Sequence, residues 1–536
     1  MSRKNISMIY FLSIITVFSL PSYSQKITEK LIATIDPSSW MEQSLKVSSD
    51  SRHVAYVANI GDKWFVVVDG KEGKKYDGIA KDYLIFNHNG KRIAYLAKLG
   101  NKFLVVEDEK EGKQYDAINC LSFSSDVDGL TYVAQSGNKW FVVVDGKEGK
   151  RYDGILKPNL IFSPDGKRVV YGAYLGDKSF VVTDGKEEKQ YDAIAGLIIS
   201  PDGKRVAYGA KLGNKYFVVV DGKEDKQYDA IAEGYPIFSS DGKRVTYGAQ
   251  IGNKWFVVTD GKEGKQYETI DGIIFSPDGK NLGYWAKSGD KWFVIVNEKE
   301  QKQYDGIGKA SLIFSNDGKR VAYVAQLRNK CFVVVDGKEE RQYDGIGKGY
   351  PAFSHDGKRV IYKVGLGNKR FVVIDGKEDK QYDGIGDPIF SPDGKRVIYG
   401  AQSGNKCFVV VDGKEDKQYD GIGDGYPVFS PDGERVIYKV QLGNKCFVVV
   451  DGEEDLQYDG IGIDYPIFSP DGKRVAYIAK IGNKWCVVVD RKVNKQYNTI
   501  GGWKIIFDSS ESLHYIAAIE NSIYLVGAEK VDSGNK

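Results

Sequence analysis

One unit, repeated from the first forty residues almost to the end, constrains this chain more than any other feature. A clean copy runs Phe390–Ile422, FSPDGKRVIYGAQSGNKCFVVVDGKEDKQYDGI. The closing tyrosine is the ruler: from Tyr76 and Tyr115 to Tyr458 and Tyr497, successive copies lie 37 or 39 residues apart. The difference falls between YDGI and the next FSPDG, as in YDGIGDPIF at Tyr382 against YDGIGDGYPVF at Tyr419. Two residues are one side-chain period of a strand, so both forms keep every side chain on its face. The variation is assigned to a connecting loop.

Within the unit, Asp393-Gly394, Gly404-Asn405 and Asp412-Gly413 are turn signals. They separate four short pieces rich in β-branched and aromatic residues, YPIF-like, KRVIYGAQ, KCFVVVDG and KQYDGI. No helical spacing of apolar residues occurs in the unit. Alternation places Cys407, Val409 and Val411 on one face of the third strand, Phe408 and Val410 on the other. A sheet apolar on both faces must be covered on both, and identical neighbours stacked radially supply that cover. The expected fold is all-β, a β-propeller of twelve or thirteen four-stranded antiparallel blades.

Unit openings from Val47 and Phe86 to Phe468 and the degenerate Phe507 number thirteen. A ring ordinarily holds four to eight blades, so two tandem rings are expected. Residues 25–309 would form the first and 310–528 the second, with a seam near Lys309. One oversized ring or an open superhelical array is the alternative.

FSPDGKRVAY (Phe468–Tyr477) followed by GNKWCVVVD resembles the WD40-like repeat of TolB-type propellers. That family similarly reads FSPDG, a basic pair, an aliphatic–aromatic strand and an apolar strand ending in Asp-Gly. The resemblance spans roughly Lys46 to Val526 and departs from the family in the fourth strand, KQYDGI. A weaker similarity, to WG-type repeats, rests on GNKW and the later YD. The first implies periplasmic scaffolding at the cell envelope.

Arg3 and Lys4, an apolar run Met8–Leu20, then Pro21 and Ser22-Tyr23-Ser24 read as a secretory signal peptide over residues 1–24. Cleavage after Ser24 would leave Gln25 first. The run is too short to span a bilayer as a helix, and no other stretch is long enough. An exported, periplasmic or extracellular protein with no membrane span in its mature chain is expected. The formal charge of +3 loses Arg3 and Lys4 on cleavage, which excludes a strong polyanion-binding field and so a nucleic-acid partner. Alternating charges in DGKEDKQ read as a solvated rim.

Five cysteines are an odd number for an exported chain. Cys331, Cys407 and Cys446 stand where other units carry Trp64, Trp140 or Trp255, so they read as free thiols in packing positions. Cys446 and Cys486, one step out of phase, are the pair that could meet across an interface. KITEKLIATI (Lys26–Ile35) contains a strand expected to complete a ring-closing blade with the carboxyl terminus, and residues 529–536 read as a disordered tail.

Catalytic chemistry is sparse. The four histidines, His53, His88, His355 and His514, fall in or beside the first hairpin of distant units and read as exposed turn residues. No G-x-S-x-G elbow, H-E-x-x-H or Walker loop is present, so no catalytic residue and no cofactor are assigned. Ser125-Asp126-Val127-Asp128-Gly129 comes nearest to a calcium loop, once, and hairpin turns explain the aspartates better, so no metal site is assigned. What remains is surface. Tyr235, Tyr350, Tyr426 and Tyr465, each followed by Pro, would ring a central opening with rigid aromatic loops, either contacting a partner or sealing the mouth. The reading is a non-enzymatic scaffold that binds a protein or peptide through one face. A multivalent glycan binder is the alternative, and a propeller hydrolase or lyase a third.

Overall fold

Each unit folds as a four-stranded meander because its three turn signals do what their residues allow. At the third hairpin, Asp412 (φ 51°) and Gly413 (φ 77°) both adopt the left-handed backbone of a tight two-residue turn. At the first, the Ser391 hydroxyl donates to Asp393 (2.6 Å) and accepts the Arg396 amide (2.9 Å), closing the turn with side chains. In the computed structural model, which describes residues 24–124, 129–156, 160–234, 236–425, 427–463 and 466–531, thirteen such antiparallel sheets follow one another. We number them blades 1 to 13, blade 1 beginning at Lys46 and blade 13 at Thr499, and call the strands of each first to fourth from the channel side outward.

The core lies between blades. Phe408, Val409 and Val410, consecutive on a third strand, are all buried, so both faces are covered as the alternation requires. Ile398 and Val409 of blade 10 pack with Tyr438, Val440 and Phe447 of blade 11, and the same kind of cluster recurs around the molecule.

The blades form one ring, not two. The expected seam at Lys309 falls inside the first strand of blade 8, between Gly306-Ile307 and Ile313-Phe314, which pair with one second strand. Trp285 and Val294 of blade 7 share a core with Leu312 and Phe332 of blade 8, so the boundary between residues 309 and 310 separates nothing. Closure comes from the termini. The strand Ser24–Thr34 pairs antiparallel with Ser522–Val531 and supplies the fourth strand of blade 13. Blade 13 in turn buries Ile516 and Ile523 against Val54 and Phe65 of blade 1. The carboxyl-terminal strand runs through Glu529 to Val531, into the stretch expected to be disordered. The leader, apart from Ser24, lies outside the described residues, as does the Ser125–Asp128 part of the calcium-like loop.

The YDGI motif proves to be a joint, not the end of a strand. Tyr419 exchanges backbone hydrogen bonds with Cys407 in blade 10, whereas the next amide, of Asp420, donates to Gln441 in blade 11. Gly421-Ile422 and Val428-Phe429 then pair with the same second strand of blade 11. The two-residue length difference is therefore a larger or smaller bulge in the first strand, not a loop between blades.

Candidate functional site

Three clasps repeat at the joints, and they account for most of the recurring polar residues. Asp420 accepts from Lys406 Nζ of its own blade (2.6 Å) and from the Gly443 amide of the next (2.7 Å). These bonds, the Gly443 amide first, hold its carboxyl below the usual carboxylate range. Arg396 donates to Asp412 (2.9 Å), reaches the Glu434 carbonyl of the next blade (2.5 Å) and lies over Phe429. At the rim, Lys417 and the phenol of Tyr419 both donate to Glu454 of the next blade. Among the described residues this rim ion pair occurs at eleven joints, the last being Lys495 with Glu29 of the amino-terminal strand. The other two joints have Leu456 and Leu31 in the lysine position. Each exposed pair contributes about 0–1 kcal/mol; the aspartates and arginines are a frame, not a reactive site.

Differences between blades collect on the channel side, in the first-strand bulge and the second-strand residue facing it. There the facing pairs differ in size from blade to blade. Leu156 faces Gly172 and Ala232 faces Gly248, whereas Gly308 faces Val324 and Gly347 faces Lys363. Gly347 is required to lack a side chain, because a Cβ would lie 2.2 Å from Lys363 Cγ. The lysine stem crosses that glycine, and its ammonium lies 5.6 Å from the centre of the Tyr350 ring and pairs with Asp387 of blade 10. Blade 11 repeats the arrangement with Gly423 under the Lys439 stem.

In blade 10 both positions are bare. Gly386 faces Gly400, the one pairing of two glycines here among the described residues. A Cβ on Gly400 would meet only Ile422 Cδ1, at 3.6 Å. Cys407 occupies the place of Trp140 or Trp255, and the bulge is of the short kind. These three subtractions leave an open hollow of about 590 Å³ between blades 10 and 11. Ile385, Ile389, Ile422 and Val428 give it apolar walls, and Asp387 and Asp424 stand at its mouth. Asp387 is engaged by Lys363; Asp424 is exposed and makes no ion pair among the described residues.

Of the tyrosines singled out from the sequence, Tyr350 lies among the described residues. Tyr350 is 8% exposed, its phenol donating to the Pro388 carbonyl at 3.2 Å. Burial, and then the charge of Asp387, pushes that phenol well above its ordinary range. It packs in the joint instead of presenting an aromatic platform; Tyr235, Tyr426 and Tyr465 lie outside the described residues. His514 also departs from expectation. It is buried, 2.7 Å from Asp508 and 2.6 Å from the Asp50 carbonyl, tying blade 13 to blade 1. No disulfide joins cysteines among the described residues: Cys446 pairs with Gln441 of the adjacent second strand, and Cys486, one place further along, points to the opposite face, where other blades carry Phe408 or Phe447. Gly386, Gly400 and Asp424 escaped the sequence reading, although aligning the copies at the bulge would have exposed them.

No protein-family model and no curated protein matches the chain. Among solved structures it is similar to TolB from Acinetobacter baumannii (15% identity, 55% of this chain and 77% of that one, TM-score 0.21). It is also similar to a GH74 enzyme from Niastella koreensis (11% identity, 95% and 100%, TM-score 0.26). A third is a eukaryotic initiation factor (14% identity, 61% and 95%, TM-score 0.32).

Proposed function

We propose that this chain is an exported, non-enzymatic binding propeller, a TolB-like scaffold of the periplasm or envelope that engages a protein or peptide from its channel side. One observation carries the reading. Joint residues are repeated nearly unchanged from blade to blade, whereas the bulges differ in charge, size and shape: Asp82, Glu233, Lys309, Lys348 and Asp424 are all exposed there. A uniform frame with a varied inner wall suits recognition of one extended partner by many small contacts, and a reaction centre would need acid, base and nucleophile brought to one place. The basic, short-apolar leader supports export.

The test is crosslinking capture from a native envelope fraction, using the chain from Gln25 onward and a Lys309→Glu/Lys348→Glu/Asp82→Lys variant. The reading expects a defined protein crosslinked by the first and lost by the second. Equal recovery by both would remove the channel side as the binding face.

A further inference from the structure

We propose that the hollow between blades 10 and 11 is a binding site for an alkylammonium group, the chemistry of a lysine side chain. The proposal rests on reading the channel side as a binding surface and names the ligand chemistry of one place on it.

The template is the neighbouring joint. Between blades 9 and 10, a four-carbon stem lies across Gly347 and delivers its ammonium to Asp387. Between blades 10 and 11 the same parts recur without the lysine. Gly386 offers the same bare backbone, since a Cβ there would meet only the backbone of Gly400, at 3.6 Å or more. Gly400 stands at the position of Lys363, and Asp424 follows Ile422-Gly423 as Asp387 follows Ile385-Gly386. The track therefore has apolar walls for a stem and, at its end, a carboxylate with no ion-pair partner among the described residues. A hollow of about 590 Å³ is within the range of small-molecule sites. A neutral apolar guest would leave Asp424 without a counter-charge, and an anion would be repelled by it, Asp387 being already paired with Lys363. Only a guest with an apolar body and a positive end satisfies walls and mouth together.

Such a group arrives either on a partner peptide or as a free aliphatic amine, and the experiment separates the two. Binding to the full chain is followed by ligand-observed saturation-transfer NMR. The probes are 1,5-diaminopentane, 1-pentanol, an N-acetyl-lysine tripeptide and its Nε-acetylated form. Saturable binding of the charged probes is expected, with pentanol and the acetylated peptide weaker by at least about two- to fivefold. Asp424→Asn should weaken it about two- to fivefold, the range of an exposed ion pair. Gly400→Lys, which restores the side chain of blade 9, should abolish it. Preference for the tripeptide identifies a protein lysine as the natural guest, and equal binding identifies a free amine. Should Gly400→Lys misfold, Asp424→Asn with the neutral probes still decides. Pentanol binding as well as the diamine, or undiminished binding by either folded variant, overturns the site. Equal partner capture by the unaltered chain and the channel-side variant, with amine binding intact, would sink the scaffold reading and leave this one standing.

Discussion

Glu29 closes the ring, and its removal should unlatch one strand selectively. Its carboxylate accepts from Lys495 Nζ at 2.8 Å and from the buried phenol of Tyr497, joining the amino-terminal strand to blade 12. Burial opposes the charge, but these two hydrogen bonds prevail and hold the carboxyl below its usual range. Glu29→Ala loses an ion pair whose lysine is half exposed, about 0–1 kcal/mol. It also strips an acceptor from a buried hydroxyl, about 1–3 kcal/mol. A total near 2 kcal/mol raises the frequency of local opening about 30-fold. The control is Glu415→Ala, which removes the equivalent acceptor from Lys380 and Tyr382 in mid-chain. Hydrogen exchange read by mass spectrometry should show the amides of Ser24–Thr34 exchanging about 30-fold faster in Glu29→Ala and unchanged in Glu415→Ala. If both variants leave that strand equally protected, or both expose it, the terminal strand is not the latch and the closure argument fails.

Other consequences of the joints are as readily measured. Ten joint aspartates, from Asp77 to Asp459, have depressed carboxyl pKa values, Asp383 chiefly through Lys369 and Asp420 chiefly through the Gly443 amide. A depressed folded pKa gives stability that is complete above the unfolded value, about 3.9, and is lost as pH falls through the folded one. The Tm should therefore hold from pH 5 to 8 and fall steeply below about 4; a flat profile to pH 2.5 contradicts the assignment. Burial pushes the Cys486 thiol up to about 11, so maleimide labelling of the native protein at pH 7.5 should leave Cys486 unmodified while half-buried Cys407 reacts; preferential labelling of Cys486 would show its packing wrong. Cys407→Trp, copying Trp140, should fill the hollow and raise the Tm by a few degrees, an overpacked and destabilised variant being the adverse result. Electron microscopy of single particles should show one ring of thirteen blades, and a pair of smaller rings would refute the topology.

The period, the four strands per unit, the doubly apolar third strand and the terminal strand exchange were all legible in the sequence, because turn residues and side-chain alternation act locally. Ring number was not. Nothing in one blade encodes the angle to the next; that angle comes from how Tyr438 and Phe447 seat against Ile398 and Val409 across a joint. The motif YDGI misled for a related reason. Tyr419 and Asp420 are adjacent in sequence yet bond to different blades, and a boundary that falls inside a peptide unit leaves no composition signal. Tyr350 looked exposed because a Tyr-Pro pair in a loop usually is, but the lysine stem and Pro388 cover it. The hollow was hidden by its own nature, as a place defined by side chains that sister blades possess and blade 10 does not.

Since every clasp joins a residue of one copy to a residue of its successor, the parts list of a joint is carried whole within each repeat. Excision or duplication of one complete unit in the gene would bring together two faces already matched, and the same latch would shut the altered circle. The number thirteen is then a count of copies that no single joint dictates.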